Sequence, residues 1–513
     1  MSEQPPTGAP DAGTDPEGLE AFLRAHAAEA VDRRPASVAH DPWRQTFHIQ
    51  PPVGLLNDPN GLVQHHGTYH VCYQWHPFAP EHGLKLWARL TSTDLVHWTW
   101  QPPVLVPSHP YDRNGCYSGS AVVHEGEIRL VYTGNVYPPV GERIPYQNLA
   151  TLHADGSTSM HPGNPVVPSL PGYGGDVRDP KVVERDGQYL MVLGSHTPDG
   201  QGTALLLRSS DLVAWELVGP MAGGPEEPYG HMWECPDLIL LDGRDVLVVS
   251  PMADLGPTAG RRRFVDITAY SVGALDMASG RFTATGWRRV DHGPDFYAAQ
   301  SFTDESGRVI QVAWMGLPDH PGQPDLAVKH PTVANGWVHC LTVPRELRLD
   351  GDDLLQWPVG ELAALRGDPL RTQTSIGPDE SFELDVPRLG PALDIELSAT
   401  CEPGGRISVR LRDGDAGRPV VVSLAPHAGT ATIDRTRLGT GEGGVSTGSF
   451  RPGATVEVRI LLDRSSIEVF VDGGRLAMSA RIYPTAGDEL VGLDASGSQV
   501  SLEATLWPMA AGP

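Results

Sequence analysis

The sequence predicts an all-β protein, a five-bladed β-propeller followed by a C-terminal β-sandwich. Helical periodicity is scarce, whereas 58 glycines and 48 prolines among 513 residues indicate many turns. A pattern of apolar strand, glycine turn and second apolar strand recurs five times, with no helix between the copies. Unrelated hairpins of another β fold are the alternative. We assign residues 40–349 to the propeller, 350–372 to a linker with a short helix, and 373–513 to the sandwich.

Residues 1–39 are predicted to contain a disordered tail and one short helix. Residues 1–16 are polar and rich in proline and glycine. Residues 17–32 have helical periodicity, and their apolar face is expected to pack against the protein or to form a dimer contact. That face consists of Leu19, Phe22, Leu23 and Ala27.

Each of the five copies begins with polar or small residues that lead into a strand. The copies begin near Asn57, Ser118, Arg178, Glu234 and Gln300, and their turns contain Gly67, Gly126, Gly187, Gly243 and Gly307. The spacing of about 60 residues is longer than common propeller repeats, so long loops must join the strands. A second repeat supports the first, because Ser92–Trp98 is echoed by Ser209–Trp215.

The C-terminal part has a different pattern. Short alternating strands at 407–411, 456–460 and 467–471, with a hairpin turn at Asp472-Gly473-Gly474, predict a β-sandwich. It resembles a carbohydrate-binding module, but a supporting or dimerising role is favoured.

Composition excludes several classes of function. The net charge of −25 and the absence of a long basic run disfavour nucleic acid and anionic membranes as partners. No apolar stretch approaches the roughly 18–20 residues of a membrane span. The five cysteines suggest neither a disulfide framework nor a zinc site, and the N-terminus lacks a secretion-signal pattern. We therefore expect a cytoplasmic protein without metal or other cofactor, and the oligomeric state stays open.

Three of the five copies begin with an acid. If the copies point into one channel, Asp58, Asp179 and Glu234 converge there. Carboxylates at one mouth repel each other, so their pKa values must separate and leave one ionised and one protonated. A retaining glycosidase uses such a pair. Nearby aromatic and amide side chains suit a sugar; they are Gln74, Trp75, Trp87, Tyr117, Phe296 and Tyr297.

Seven motifs in order resemble one known family, the glycoside hydrolase family 32 β-fructofuranosidases, which include invertases and sucrose-6-phosphate hydrolases. The motifs are Asn57-Asp58-Pro59-Asn60-Gly61, Tyr117-Ser118-Gly119-Ser120-Ala121, Arg178-Asp179-Pro180, Glu234-Cys235-Pro236-Asp237, Asp295-Phe296-Tyr297-Ala298, Gly336-Trp337 with Pro344-Arg345-Glu346-Leu347, and Asp463-Arg464-Ser465-Ser466-Ile467-Glu468-Val469-Phe470. The family fold, a five-bladed propeller followed by a sandwich, agrees with the repeat pattern.

The resemblance implies a role for each acid. Asp58 would be the nucleophile, Glu234 the general acid and base, and Asp179 the stabiliser of the transition state. Arg178 is expected to keep Asp179 ionised. The remaining residues expected to bind substrate are Leu56, Asn57, Gln74, His82, Trp87, Tyr117, Ser118 and Tyr297.

The sequence departs from the family pattern at the rim of the expected pocket, at Leu56, His82 and Leu86-Trp87-Ala88-Arg89. Sucrose and sucrose 6-phosphate are therefore both candidate substrates. Lys85 and Arg89 are candidate phosphate contacts, with Arg113 and Arg143 as alternatives. A levan or inulin exohydrolase, a fructosyltransferase and a non-catalytic fructan-binding protein are the other hypotheses.

Overall fold

The computed structural model describes residues 4–170, 172–173, 175–224, 230–258, 261–320, 323–384, 389–413, 417–441, 443–485 and 490–512. Strands dominate this part of the chain. No helix in these ranges has both the length and the apolar character needed to cross a membrane. The helical segments are α1 (Pro16–Asp32), α2 (Ala36–Ala39), α3 (Leu326–Lys329) and 3₁₀ turns at Pro331–Asn335, Gly360–Leu365 and Pro426–Ala428.

Five sheets follow one another in the first part of the chain. The first contains β1 (Gly54–His65), β2 (Thr68–His76), β3 (Leu86–Ser92) and β4 (Thr99–Leu105). The second contains β5 (Cys116–His124), β6 (Glu127–Val136), β7 (Ile144–Leu152) and β8 (Thr158–Met160). The third contains β9 (Arg178–Arg185), β10 (Gln188–His196), β11 (Gly202–Ser209) and β12 (Glu216–Gly223).

The fourth sheet is larger than the first three. It contains β13 (Met232–Leu241), β14 (Arg244–Thr258), β15 (Arg261–Asp266), β16 (Ala269–Leu275), β17 (Phe282–Ala284) and β18 (Arg288–Arg289). The fifth begins with β19 (Tyr297–Thr303) and β20 (Val309–Trp314). The chain then returns to the first sheet, where β21 (Trp337–Val338) pairs in parallel with β1. It completes the fifth sheet with β22 (Arg345–Asp350) and β23 (Asp353–Pro358).

The repeat predicted from the sequence is confirmed as a hairpin in every sheet. The first two strands of each sheet are antiparallel neighbours. All five turn glycines have a positive φ, between 74° and 89°, which explains why glycine recurs there. The first strands also contact one another in a ring: β1 contacts β5, β5 contacts β9, β9 contacts β13, β13 contacts β19, and β19 contacts β1.

The C-terminal part consists of two six-stranded sheets. One has the order β24 (Leu370–Ile376), β35 (Val500–Pro508), β26 (Leu393–Cys401), β31 (Thr455–Leu462), β32 (Ser466–Val471) and β33 (Leu476–Arg481). The other has the order β25 (Ser381–Leu384), β34 (Leu490–Ser496), β27 (Arg406–Asp413), β28 (Val420–Ala425), β29 (Thr430–Asp434) and β30 (Val445–Ser449). Apolar side chains of both sheets form one core, which makes this part a sandwich.

The fifth sheet and the sandwich are joined by a short connection. The fifth sheet continues to Pro358, because Gly351 (φ 65°) makes a tight turn that adds β23 to β22. The sandwich begins at Leu370. The connection is therefore 359–369, which is shorter than the predicted linker of 350–372, and it contains the expected short helical turn.

The predicted N-terminal helix is confirmed as α1. Asp15 caps it by accepting a hydrogen bond from the Gly18 amide, and Pro16 occupies the first turn. Leu19, Leu23 and Ala27 are buried on its inner face. Residues 1–3 lie outside the described residues. In the rest of the predicted disordered tail, Ala12 is buried in the same apolar cluster as α1.

A buried polar cluster joins the sandwich to the five sheets. The ring of His48 lies between two sandwich acids, with Nδ1 2.8 Å from Asp463 and Nε2 2.9 Å from Glu468. Arg345 of β22 contacts the other Glu468 oxygen at 2.5 Å and Asp291 at 3.0 Å. All five side chains are fully or almost fully buried. Removing one partner would leave an uncompensated buried charge, so the two parts depend on each other.

We predict that the stabilisation contributed by the charged His48 ring is lost at high pH. Burial alone would lower the pKa of His48, but hydrogen bonds to Asp463 and Glu468 outweigh it and raise the pKa from 6.5 to about 9. Stabilisation by the charged ring is therefore complete below about pH 6.5 and disappears as the pH rises through about 9. The free energy of unfolding of wild type and His48→Gln should differ most at pH 6 and converge towards pH 10.

Urea denaturation at each pH measures this difference. Replacement of the exposed His40 by glutamine is the matched control and should give no such convergence. A gap between wild type and His48→Gln that stayed constant from pH 6 to 10 would contradict a charged His48.

Candidate active site

The three acids, with Asn57, Ser118, Arg178 and Tyr297, lie near the beginning of the ring-forming strands, where each strand contains a β-bulge. In four strands the pairing register shifts between two residues of the strand itself: Leu56 and Pro59 in β1, Cys116 and Gly119 in β5, Glu234 and Asp237 in β13, and Tyr297 and Gln300 in β19. In β9 the shift lies opposite the segment between Val192 and Gly194 of its partner β10. A bulge sets two residues opposite one and changes the direction of a side chain. The sequence therefore delivers more side chains to this end of the ring than regular strands could.

The three acids do not occupy equivalent positions, which corrects the alignment of the repeats. Asp58 is the second bulge residue of its strand, Asp179 is the first, and Glu234 precedes the bulge. Asp179, Cys235 and Ala298 all have a left-handed backbone, with φ of 63°, 46° and 53°. Such strain in non-glycine residues is concentrated at functional sites.

Asp58 is held by donors on one of its two oxygens. Its Oδ2 accepts hydrogen bonds from Ser118 Oγ at 2.6 Å and from Gln74 Nε2 at 3.2 Å. Among the described residues, the other oxygen, Oδ1, accepts a single long bond of 3.2 Å from Asn57 Nδ2. Burial raises the pKa of Asp58, Ser118 opposes this change, and the charge of Glu234 adds to it.

Cys235 lies between the first two acids. Its sulfur is 3.7 Å from Asp58 Oδ2 and 3.7 Å from Asp179 Oδ2, and its amide donates to the same Asp179 oxygen at 3.0 Å. Burial raises the pKa of Asp179 to about 7, although Arg178 lowers it. Burial and the two carboxylates raise the pKa of the Cys235 thiol well above its usual value, so this thiol stays protonated.

Glu234 is held from both sides. Arg178 donates to Glu234 Oε1 from two nitrogens, at 2.7 and 3.2 Å. The Tyr297 hydroxyl lies 2.7 Å from Glu234 Oε2 and 2.9 Å from the Ser250 carbonyl oxygen. One hydroxyl proton serves only one of these two acceptors at a time.

Arg178 contacts different acids from the one the sequence suggested. Its closest ion pairs are with Glu234 and Asp176, both at 2.7 Å, whereas Asp179 is 3.8 Å away. It still lowers the pKa of Asp179. Its main contact is therefore with Glu234, and Asp176 is a neighbour that the sequence motifs did not reveal.

A chain of amide and amine contacts leads from Asp58 to the rim. Asn57 donates to Gln74 at 2.9 Å and accepts from Lys85 Nζ at 2.9 Å. Lys85 Nζ also lies 3.1 Å from His82 Nδ1. A lysine ammonium only donates, so His82 Nδ1 accepts and the proton of the neutral ring is on Nε2. Burial, followed by Lys85, lowers the pKa of His82 well below its usual value, which keeps the ring neutral.

Other residues expected to touch substrate are in the core. Leu56, Trp75, Trp87 and Phe296 are buried among apolar neighbours. Trp87 donates from Nε1 to the Tyr117 carbonyl oxygen at 3.0 Å. These side chains support the backbone of the site and have almost no surface to offer a sugar. Tyr117 itself is half-buried.

The two cations expected to contact a phosphate are separated. Lys85 is 2% exposed and contacts Asn57 and His82, so it supports the site from below. Arg89 lies in a groove with the turn between β1 and β2, at the opposite end of the first sheet. It is therefore not at the rim. Lys85 immediately precedes β3, whereas Arg89 lies four residues further along the chain, and four residues of strand span roughly 13 Å.

Comparison with known proteins identifies the family. Residues 48–358 match the profile of the glycosyl hydrolases family 32 N-terminal domain, and residues 361–508 match that of the family's C-terminal domain. The chain belongs to glycosyl hydrolase family 32. The resemblance inferred from the motifs is confirmed, and the chain is a glycoside hydrolase.

Relatives of this family 32 chain include two sucrose-6-phosphate hydrolases. That of Bacillus subtilis is 38% identical over 494 residues, which cover 95% of this chain and 98% of the relative. That of Klebsiella pneumoniae is 37% identical over 493 residues, covering 93% and 95%.

Solved structures of family 32 members have the same fold. A sucrose-6-phosphate hydrolase from Lactobacillus gasseri is 26% identical with a TM-score of 0.84, covering 95% of this chain and 97% of that chain. A Bombyx mori β-fructofuranosidase in complex with sucrose is 28% identical with a TM-score of 0.80, covering 96% and 99%.

We predict that Asp179→Asn stabilises the protein above neutral pH. The folded pKa of Asp179 is raised from 3.8 to about 7, so ionising this group costs folding free energy at pH 8 and nothing near pH 4. Asparagine keeps the acceptor for the Cys235 amide and tolerates the left-handed backbone. The free energy of unfolding of Asp179→Asn should exceed that of wild type at pH 8, by roughly 4 kcal/mol at most, and the difference should shrink towards zero near pH 4.

Denaturant titrations at pH 4.5, 6 and 8 measure the change. The exposed Asp325→Asn is the control and should show no such trend. A variant that was less stable than wild type at pH 8 would contradict the picture of a repulsive carboxylate cluster.

Proposed function

We propose that the protein is a retaining β-fructofuranosidase that hydrolyses the terminal β-D-fructofuranosyl bond of sucrose or sucrose 6-phosphate. The proposal rests mainly on the cluster of the three acids. The sulfur of Cys235 contacts both Asp58 and Asp179, and Glu234 is the residue that precedes Cys235 in the chain. The names of the relatives, sucrose-6-phosphate hydrolase, and the sucrose complex of a similar structure support the substrate class. No cofactor enters this chemistry.

In the first step Asp58 attacks the anomeric carbon of the fructosyl ring. Its Oδ1 has only one long hydrogen bond, so we assign Oδ1 as the attacking atom. The glycosidic C–O bond breaks, an ester to Asp58 forms, and Glu234 gives its proton to the leaving oxygen. Glu234 then takes a proton from water, which attacks the ester and releases fructose with retained configuration. Asp179 accepts hydrogen bonds from fructosyl hydroxyls.

The Tyr297 hydroxyl can stabilise Glu234 in its protonated form as well as in its ionised form. The Ser250 carbonyl can only accept, so a Tyr297 that donates to Ser250 has a lone pair left for the proton of a neutral Glu234. When Glu234 is ionised, the same hydroxyl turns to donate to it. Arg178 stays on the other oxygen, Oε1, in both states.

His82 provides a donor for the leaving group. Its Nε2 has no hydrogen-bond partner among the described residues and is 3.9 Å from Asp319. The Nε2 proton suits an oxygen of glucose or of its phosphate. Tyr117, also half-buried, is assigned to the same rim. A fructan exohydrolase or a fructosyltransferase would use the same acids and differ at this rim.

We also propose a finer architecture. The ring of contacts among the five first strands supports a closed five-bladed propeller that begins near residue 40 and ends at Pro358, with the sandwich beginning at Leu370. Five buried thiols support work in the reducing cytoplasm.

The first test concerns the acids. Asp58→Asn should abolish sucrose turnover, because no ester can form. Glu234→Gln should lower kcat for sucrose by roughly 10²–10⁴-fold, yet should spare the first step on fructosyl fluoride, whose leaving group needs no proton. Release of reducing sugar and a fluoride electrode measure the two reactions. The exposed Glu216→Gln is the matched control, and near-normal sucrose turnover by Asp58→Asn would overturn the nucleophile assignment.

The second test concerns Lys85. Because Lys85 positions Asn57 and through it Asp58, Lys85→Met should lower kcat/KM for sucrose and for sucrose 6-phosphate by the same factor, roughly 100-fold. Lys329→Met, which removes the ammonium beside Asp319, is the matched control. A loss confined to sucrose 6-phosphate in Lys85→Met would instead make Lys85 a phosphate contact.

A further inference from the structure

A groove of about 480 Å³ lies between the first and second sheets, away from the acids. Its walls include the turn between β1 and β2, the turn between β7 and β8, and the side chains of His70 and Arg89. The β1 turn follows Asp58 by seven residues of strand, roughly 20 Å. The groove is therefore separate from the proposed catalytic centre and does not depend on it.

Arg89 is a buried cation without a partner in this groove. It is 5% exposed, and its Nε has no hydrogen-bond partner among the described residues. No carboxylate of the described chain pairs with its guanidinium, which extends to Gly156 in the turn between β7 and β8. An unpaired charge in a buried position lowers the free energy of unfolding, so a bound anion that paired with Arg89 would stabilise the folded protein.

The acids of the groove are already engaged. Glu127 contacts Arg129 at 2.8 Å and His153 at 3.3 Å. Asp155 accepts from the amide of Ser157 at 2.9 Å and from its hydroxyl at 2.6 Å. Neither carboxylate forms an ion pair with Arg89.

The groove also offers histidine nitrogens. His70 Nδ1 is buried without a hydrogen-bond partner among the described residues. Burial and Arg89 lower the pKa of His70 to about 4, so the ring is neutral at physiological pH and can donate one N–H. His65, His66 and His153 also line the groove. The protein has a net charge of −25, yet in this groove several histidines surround a guanidinium that forms no ion pair with the described residues.

We propose that this groove binds a phosphate group, either inorganic phosphate or the phosphate of a sugar phosphate. A guanidinium presents parallel N–H donors that match phosphate oxygens, and His70 supplies a neutral donor beside it. The volume is sufficient for a hexose phosphate. Arg89 anchors the phosphate, and the turn between β7 and β8 closes over it.

Calorimetric titration of the full chain with inorganic phosphate, glucose 6-phosphate and glucose tests the proposal. Wild type should bind both phosphorylated ligands saturably, and Arg89→Met should weaken the groove site by about 10–100-fold. The matched control is Arg348→Met, which removes an exposed cation and should leave binding unchanged. Tighter binding of glucose 6-phosphate than of phosphate identifies a sugar phosphate as the ligand, and equal binding identifies the anion alone. Equal phosphate affinity in wild type and Arg89→Met, or no saturable binding, overturns the proposal.

Thermal unfolding provides a second readout that separates binding from folding. Without phosphate, Arg89→Met should unfold at the same temperature as wild type or higher, because an unpaired buried cation has been removed. Added phosphate should raise the unfolding temperature of wild type but not of Arg89→Met. Sucrose hydrolysis without phosphate should be the same in both. Equal stabilisation of both proteins by phosphate would place the site elsewhere.

Discussion

The structure of the site depends on electrostatic repulsion among three carboxylates that lie close to one another in a largely buried position. Each acid is held by different donors: Ser118 and Gln74 for Asp58, the Cys235 amide for Asp179, and Arg178 with Tyr297 for Glu234. The donors come from different strands, so the ring of sheets must be in place before any acid has its partners. The free energy of folding therefore keeps the carboxyl groups close together although their charges repel, and the different donors give them different tendencies to ionise.

Much of this arrangement was predictable because turns and periodicity are local properties. Glycines that need a positive φ mark the hairpins, and the repeat of strand and turn gives the five sheets. The bulges were not predictable, because they depend on the pairing of a strand with its neighbour. For that reason the offset of Glu234 from the other acids, and the role of Cys235, emerge only from the structure. Arg89 was misplaced because four residues of strand separate it from Lys85, and the sequence alone did not show that strand.

The contact between the two parts explains why motifs far from the acids belong to the family pattern. Arg345 in the fifth sheet, and Asp463 and Glu468 in the sandwich, form one buried cluster around His48. They fix the fifth sheet, whose strand β19 contributes Tyr297 to the site. The sandwich is therefore connected, through the fifth sheet, to the tyrosine that contacts Glu234.

The sulfur of Cys235 has a consequence for chemical resistance. It lies 3.7 Å from a carboxylate oxygen of both Asp58 and Asp179, and burial together with these negative charges raises the pKa of the thiol and opposes formation of a thiolate. Oxidants and alkylating reagents attack the thiolate, so this cysteine is protected by the same charges that make the site reactive towards sugars. A site that contains a free thiol can thus remain insensitive to peroxide, because its carboxylates, and not its sulfur, are the reactive groups.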